Sequence, residues 1–183
     1  KIRALVIAPT RELVDQIKET AVDLGKYTNS RSVSIYGGVP KRPQDSKLSQ
    51  NPDIVVACPG RLLDHLNQKT IDLSRVETLV LDEADTMCDM GFLPEVRRLL
   101  DRTPNGRQTL LFSATLDGDV NVFVHDYQQN PIRREVGSLE PNIEGMRHLF
   151  WRLESSSRVE VASHLIQAAG PTIVFCRTRR GVD

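Results

Sequence analysis

The alternation of short apolar runs with stretches of helical period constrains this chain most. The runs are Ala4–Ala8, Val33–Tyr36, Ile54–Ala57, Leu79–Leu81, Thr109–Phe112 and Thr172–Cys176. They are rich in β-branched residues, Leu and Phe, and each is bounded by turn residues. Near-continuous apolar runs of this length suit strands buried on both faces of a parallel sheet. Alternating strands and helices imply βαβ units with right-handed crossovers, so the expected fold class is α/β with a parallel sheet.

The intervening segments carry helical stripes. Leu13, Ile17, Ala21 and Leu24 share one face of a helix that follows Pro9-Thr10 and ends at Gly25. A shorter helix after Pro59-Gly60 carries Leu62, Leu63 and Leu66. Leu93, Val96, Leu99 and Leu100 form another stripe, and Val120, Phe123, Val124 and Tyr127 a further one. Ser157 and Glu160 have capping-box spacing ahead of the stripe Val159, Ala162, Leu165, Ile166 and Ala169. The stretch between Pro40 and Pro52 offers only charge and turn residues, and no role is assigned to it. Gly, Ser, Pro and Asn gather at residues 137–148 with little periodicity, which reads as a linker. Residues 1–136 then form a first domain, and 149–183 give only strand, helix, strand, the beginning of a second. The chain opens without Met inside a strand and stops just after another, so it reads as part of a longer protein.

Composition removes several classes. Lys and Arg total 24 against 24 Asp and Glu, which excludes a polycation that binds nucleic acid by bulk charge but not one that binds at a local site. Apolar residues at 39% are too many for a disordered chain. No apolar run approaches the roughly 20 residues of a membrane span, so no membrane partner is expected. The three cysteines are scattered and odd in number, pointing to a reducing, cytoplasmic compartment. The four histidines lack partners at metal spacing, and each reads as a surface or boundary residue. Trp151 reads as core packing in a strand, and Cys176 as a buried strand residue.

The sharpest chemical signal is Val80-Leu81-Asp82-Glu83-Ala84-Asp85, an apolar strand that delivers adjacent carboxylates at its carboxyl end. Ligands bind at that edge of open α/β sheets. One carboxylate can hold Mg²⁺ beside phosphates while the next positions a water; an acidic turn is the alternative when the motif is taken alone. Ala8-Pro9-Thr10-Arg11-Glu12-Leu13 passes from strand to helix, with Thr10 as cap and free N–H groups suited to phosphate. Gly37-Gly38 permits close backbone approach, and Pro59-Gly60-Arg61 places a helix start and a guanidinium at the same edge. Ser113-Ala114-Thr115 closes the next strand, its hydroxyls free to cap a helix or bond a carboxylate.

In order, these motifs resemble the DEAD-box family of RNA helicases of superfamily two. Met90-Gly91-Phe92 and the later Ile173-Val174-Phe175-Cys176-Arg177-Thr178-Arg179-Arg180-Gly181 fit the same resemblance. The phrase His148-Leu149-Phe150-Trp151 and the compact spacing point to a bacterial-type member. The resemblance implies two RecA-like domains that clamp ATP, with Mg²⁺, and single-stranded RNA between them. It implies that Asp82 coordinates Mg²⁺, that Glu83 orients the attacking water, and that both belong to the ATP site. It implies that Asp85 couples to Ser113 and Thr115, linking that site to domain closure. Pro9, Thr10, Arg11, Gly37, Gly38, Pro59, Gly60 and Arg61 are implied to contact the RNA backbone, and Thr178 and Arg179 to do so from the second domain. Such contacts let a neutral chain bind RNA without reading sequence.

Two departures qualify this. Cys58 stands where the family usually has Thr, and no G-x-x-x-x-G-K-[ST] phosphate loop occurs in the 183 residues. The expectation is therefore a piece of an ATP-dependent RNA helicase that unwinds short duplexes or remodels ribonucleoprotein, the piece alone being inactive. A non-catalytic RNA-binding or interaction module and a DNA translocase of the same superfamily are the alternatives.

Overall fold

The computed structural model describes residues 1–116, 118–128, 130–136, 149–152 and 158–175. Its main-chain contacts divide the chain into one unit at Lys1–Arg133 and another at Arg134–Asp183. In the first unit five strands run parallel: β1 (Ala4–Ile7), β2 (Ser32–Ile35), β3 (Ile54–Ala57), β4 (Thr78–Leu81) and β5 (Gln108–Leu111). Their order is β2-β3-β1-β4-β5. Each strand lies within about a residue of the apolar run that announced it.

The helices of this unit are α1 (Arg11–Leu24), α2 (Arg42–Leu48), α3 (Pro59–Asn67), α4 (Ala84–Asp89), α5 (Leu93–Leu100) and α6 (Gly118–Tyr127). α1 starts where Thr10 accepts a hydrogen bond from the Leu13 N–H, and its last carbonyls are met by the Gly25 N–H. α2 and α4 lie where sequence periodicity gave no helix. α2 is polar apart from Leu48 and has Pro43 in its first turn. α4 has only six residues, and Gly91 at φ 75° turns the chain after it toward α5.

Two cores flank the sheet. Leu5, Ile7, Val33, Ile35, Val55, Leu79 and Leu81 pack with Leu62, Val96, Leu99 and Phe123 from the helices on one face. On the other, Val56 and Ala8 meet Val14, with Leu13, Ile17 and Tyr36 around them. Right-handed crossovers account for this division. β1 to β2 runs one way along the sheet and carries α1 to one face, while the later connections run back and carry their helices to the other. α1 therefore covers only the β2–β3 half of its face. Over β5 that face holds Leu110, 39% exposed, and Phe112 just beyond the strand, 56% exposed.

The pairing is flush. Ile7 is level with Ala57 and Leu81, Ile35 with Ala57, and Leu81 with Leu111. The residues that leave the five strands thus emerge along one edge, stitched by Ala8 N–H to Ala57 O, Cys58 N–H to Ile35 O, Asp82 N–H to Ile7 O and Phe112 N–H to Leu81 O.

In the second unit, α7 (Arg158–Ala169) buries none of its residues, so the stripe read from sequence contributes no core there among the described residues. Thr172–Phe175 are not in a strand, and Trp151 is 51% exposed and outside any strand, correcting the two strands expected there. Local pairing propensity makes no strand without a partner to hydrogen-bond. The 137–148 segment, Ser157 and Cys176–Asp183, with Thr178 and Arg179 among them, lie outside the described residues. Among the described residues no helix is long and apolar enough to cross a membrane.

Candidate ATP and RNA site

The acidic motif sits where β4 ends, between β1 and β5. Asp82 is half-buried and its Oδ1 accepts from the Glu83 N–H at 3.0 Å. Glu83 is exposed and adopts a left-handed backbone, φ 48° and ψ 55°, as the residue that begins α4. A non-glycine residue held there carries local strain of about 1–2 kcal/mol, and such strain is concentrated at functional sites. The strain turns the backbone within one residue, and the Ala84 N–H then bonds the Phe112 carbonyl at 3.0 Å.

Asp85 is the most connected carboxylate of the motif. Its Oδ1 accepts from the Thr86 N–H at 3.0 Å, and its Oδ2 accepts from the Thr115 N–H at 3.2 Å and the Thr115 hydroxyl at 3.5 Å. The Asp85 N–H donates to the Ser113 hydroxyl oxygen at 3.2 Å. Burial alone would raise the Asp85 carboxyl; the donors from Thr86, Ser113 and Thr115 outweigh it and hold the group below the usual carboxylate range. This carboxylate ties the start of α4 to the loop after β5, about thirty residues away in sequence.

The second cluster occupies the β1, β2 and β3 side of the same edge. Gly38 has φ +74°, and a Cβ there would overlap the Arg11 guanidinium, 2.6 Å from Cζ. Arg11 therefore packs its guanidinium against the glycine backbone. Arg61, from the first turn of α3, donates two N–H groups to the Val39 carbonyl at 3.2 Å each. A guanidinium has five donors, so three remain. Tyr36, just ahead of the glycine pair, donates its hydroxyl to Asp15 of α1 at 2.8 Å, and that bond leads the causes that raise the Tyr36 pKa. Pro9, Thr10, Arg11, Gly37, Gly38, Pro59, Gly60 and Arg61 are thus brought into one neighbourhood.

Cys58 occupies the cap position of α3 without a side-chain cap bond, and burial pushes its thiol up to about 11. Sequence reading missed a third group. Gln44 of α2 is buried and donates to the Tyr36 carbonyl at 3.0 Å. His65 of α3 is fully buried, with Nδ1 2.8 Å from the Thr70 hydroxyl and 3.4 Å from an Asp45 oxygen. The expectation of a surface or boundary histidine is therefore corrected at position 65, whose ring meets Thr70 and Asp45 of α2, a helix that periodicity does not reveal. The spacing of Lys41 and Asp45, four residues apart and paired at 2.6 Å, was the available signal.

No cluster of three or more His, Cys, Asp or Glu able to hold a metal ion by itself occurs among the described residues. Asp82 offers one hard carboxylate, which fits Mg²⁺ carried in with nucleotide phosphates and keeping several waters, rather than an all-protein cage. Two open clefts, about 310 and 460 Å³, lie at the opposite, amino-terminal edge of the sheet and contain none of the motif residues.

Five parallel strands flanked by helices, with the first unit's motif segments 9–11, 37–38, 59–61, 82–85 and 113–115 along the carboxyl edge, define a RecA-like helicase domain. The DEAD/DEAH box helicase family model matches residues 1–123, and the chain belongs to that family. The DEAD-box ATP-dependent RNA helicase CshA of Bacillus subtilis is 37% identical over all of this chain and 37% of its own length. The ATP-dependent RNA helicase CshA of Limosilactobacillus reuteri is 39% identical with the same coverage, in line with the bacterial-type resemblance. Among solved structures, a hypothetical ATP-dependent RNA helicase from Sulfolobus tokodaii matches with a TM-score of 0.67 at 41% identity, covering 70% of this chain and 39% of that one. The yeast DEAD-box splicing factor Prp28 matches with a TM-score of 0.68 at 38% identity, covering 75% and 34%. The chain spans little more than a third of the length of the curated relatives it matches.

Proposed function

We propose that these residues supply the acidic half of the ATP site and one RNA-gripping edge of a cytoplasmic ATP-dependent RNA helicase. The parent protein uses ATP hydrolysis to unwind short RNA duplexes or remodel ribonucleoprotein. The observation that carries this reading is the shared edge, where Asp85 bridges to Ser113 and Thr115 while Arg11 and Arg61 converge on the Gly37–Val39 turn.

Asp82 would hold Mg²⁺, directly or through water, and the bound ion would supply charge neutralisation at the nucleotide phosphates. Glu83 accepts from and orients the attacking water. Asp85 transmits the state of this edge to the Ser113–Thr115 loop. Arg11, Arg61 and the free N–H groups at the starts of α1 and α3 bind consecutive RNA phosphates, without reading bases. Residues 137–148 link this domain to the beginning of a second RecA-like domain at 149–183, whose Thr178 and Arg179 contact RNA as well.

The 183 residues alone bind RNA weakly and do not turn over ATP, because they contain no glycine-rich loop with its Lys to cradle the β- and γ-phosphates. The test is phosphate release by the purified chain with ATP, Mg²⁺ and single-stranded RNA. Background release, equal in wild type and Glu83→Gln, is expected; RNA-stimulated release abolished by Glu83→Gln would overturn this account.

A further inference from the structure

Among the described residues His65 is the only buried histidine, and it lies six residues after Pro59, where α3 leaves the RNA edge. The Thr70 hydroxyl donates to the His65 carbonyl at 3.1 Å, so its oxygen is free to accept from the ring at 2.8 Å. Asp45, a second acceptor at 3.4 Å, faces the same ring nitrogen. Both place the proton on Nδ1. Nε2 is buried and finds no hydrogen-bond partner among the described residues.

We propose that His65 is a positioning residue for RNA binding: its neutral Nδ1–H form locks α3 to α2, and its protonation releases that lock. The proposal rests on the RNA-binding reading above and deepens it. α2 begins three residues after Val39, whose carbonyl receives Arg61, and its Gln44 holds the carbonyl of Tyr36 just before the glycine pair. α3 begins at Pro59 and carries Arg61 in its first turn. The His65–Asp45 contact joins these helices behind the turn that presents both guanidinium groups. A second proton would put charge into a fully buried site and leave Nε2–H without an acceptor.

The surrounding charges divide between the two directions. Lys41 and Asp45 face the ring from the start of α2, and Arg61 and Asp64 from α3 itself. Asp45 already pairs with Lys41 at 2.6 Å. Burial first, then the two cations, hold His65 below its ordinary value against the pull of the two carboxylates. For a histidine depressed in this way the stabilising contribution is complete above about pH 6.5, the unfolded value, and is lost as pH falls through the native value. Exposed histidines act in the opposite sense, since their protonation adds positive charge toward RNA.

The experiment is the affinity of the whole chain for a single-stranded oligonucleotide at pH 7.5, 6.5 and 5.5, beside ¹⁵N NMR of its imidazole groups. Wild type keeps its affinity from pH 7.5 to 6.5 and loses it as pH falls through the lowered native value of His65, by at most about tenfold per pH unit. His65→Asn, whose amide nitrogen replaces Nδ1–H, binds within about twofold of wild type at pH 7.5 and shows no acid loss; His65→Leu is weak throughout. The imidazole spectrum shows a protonated Nδ1 and a bare Nε2. An Nε2–H tautomer, or the same acid loss in His65→Asn as in wild type, overturns the proposal and leaves RNA binding intact. No binding by wild type at pH 7.5 overturns the RNA reading, and the proposal with it. If His65→Leu does not fold, the spectrum and His65→Asn decide.

Discussion

Gly38 offers the sharpest perturbation of the RNA edge. Its backbone is left-handed, and Gly38→Ala adds both a conformational cost of about 1–2 kcal/mol and a methyl group in the space of the Arg11 guanidinium. Arg11 moves, because its side chain is flexible and the glycine backbone is not. Loss of one phosphate contact lowers the slope of log affinity against log salt by about 0.7 for a single strand. Gly37→Ala is the control: its Cβ meets nothing within 4 Å and its φ is not positive. It should leave stability within about 0.5 kcal/mol and the slope unchanged. The assay is fluorescence anisotropy with labelled single-stranded RNA from 50 to 200 mM salt, with urea unfolding of the same samples. Equal damage from Gly37→Ala and Gly38→Ala, or an unchanged slope in Gly38→Ala, would refute the reasoning.

Other outcomes follow from the same geometry. Asp85→Asn removes charge-assisted bonds to Thr86 and Thr115 and costs about 1–2 kcal/mol at pH 7 in a denaturant melt. Because the native Asp85 carboxyl is held low, its contribution is present above the unfolded value near pH 4 and is lost on further acidification, so the variant's stability is less acid-dependent there. Cys58→Thr supplies the missing cap oxygen of α3 and adds about 0.5–1 kcal/mol of stability, while wild-type Cys58, at about 11, alkylates slowly at pH 8 until urea exposes it. Phe112→Ser, on the uncovered part of the sheet, changes stability by about 0.5 kcal/mol or less, whereas Leu79→Ala in the packed core costs about 2–5 kcal/mol.

Much of the first unit was legible because parallel strands advertise themselves twice, as apolar runs and as turn motifs at their ends. Leu5, Val55 and Leu79 need no tertiary information to be assigned to a core strand. α2 was illegible because its buried contacts include the amide of Gln44, a residue whose type signals a surface. His65 followed in part from that miss, since one of its two ring partners, Asp45, comes from this helix twenty residues earlier. Glu83 shows the converse: the motif was read from sequence, but its left-handed backbone was not, because the turn depends on the Phe112 carbonyl just past β5. Trp151 and the run beginning at Thr172 have strand-like composition, but residues 149–152 and 172–175 hold no strand pairing.

The most direct test of the central claim is the salt dependence of RNA affinity in Arg11→Ala/Arg61→Ala. If both guanidinium groups bind phosphates at this edge, the double variant remains folded and its slope falls by about 1.4, twice the single-contact value for a single strand. A folded double variant with the wild-type slope would contradict the account.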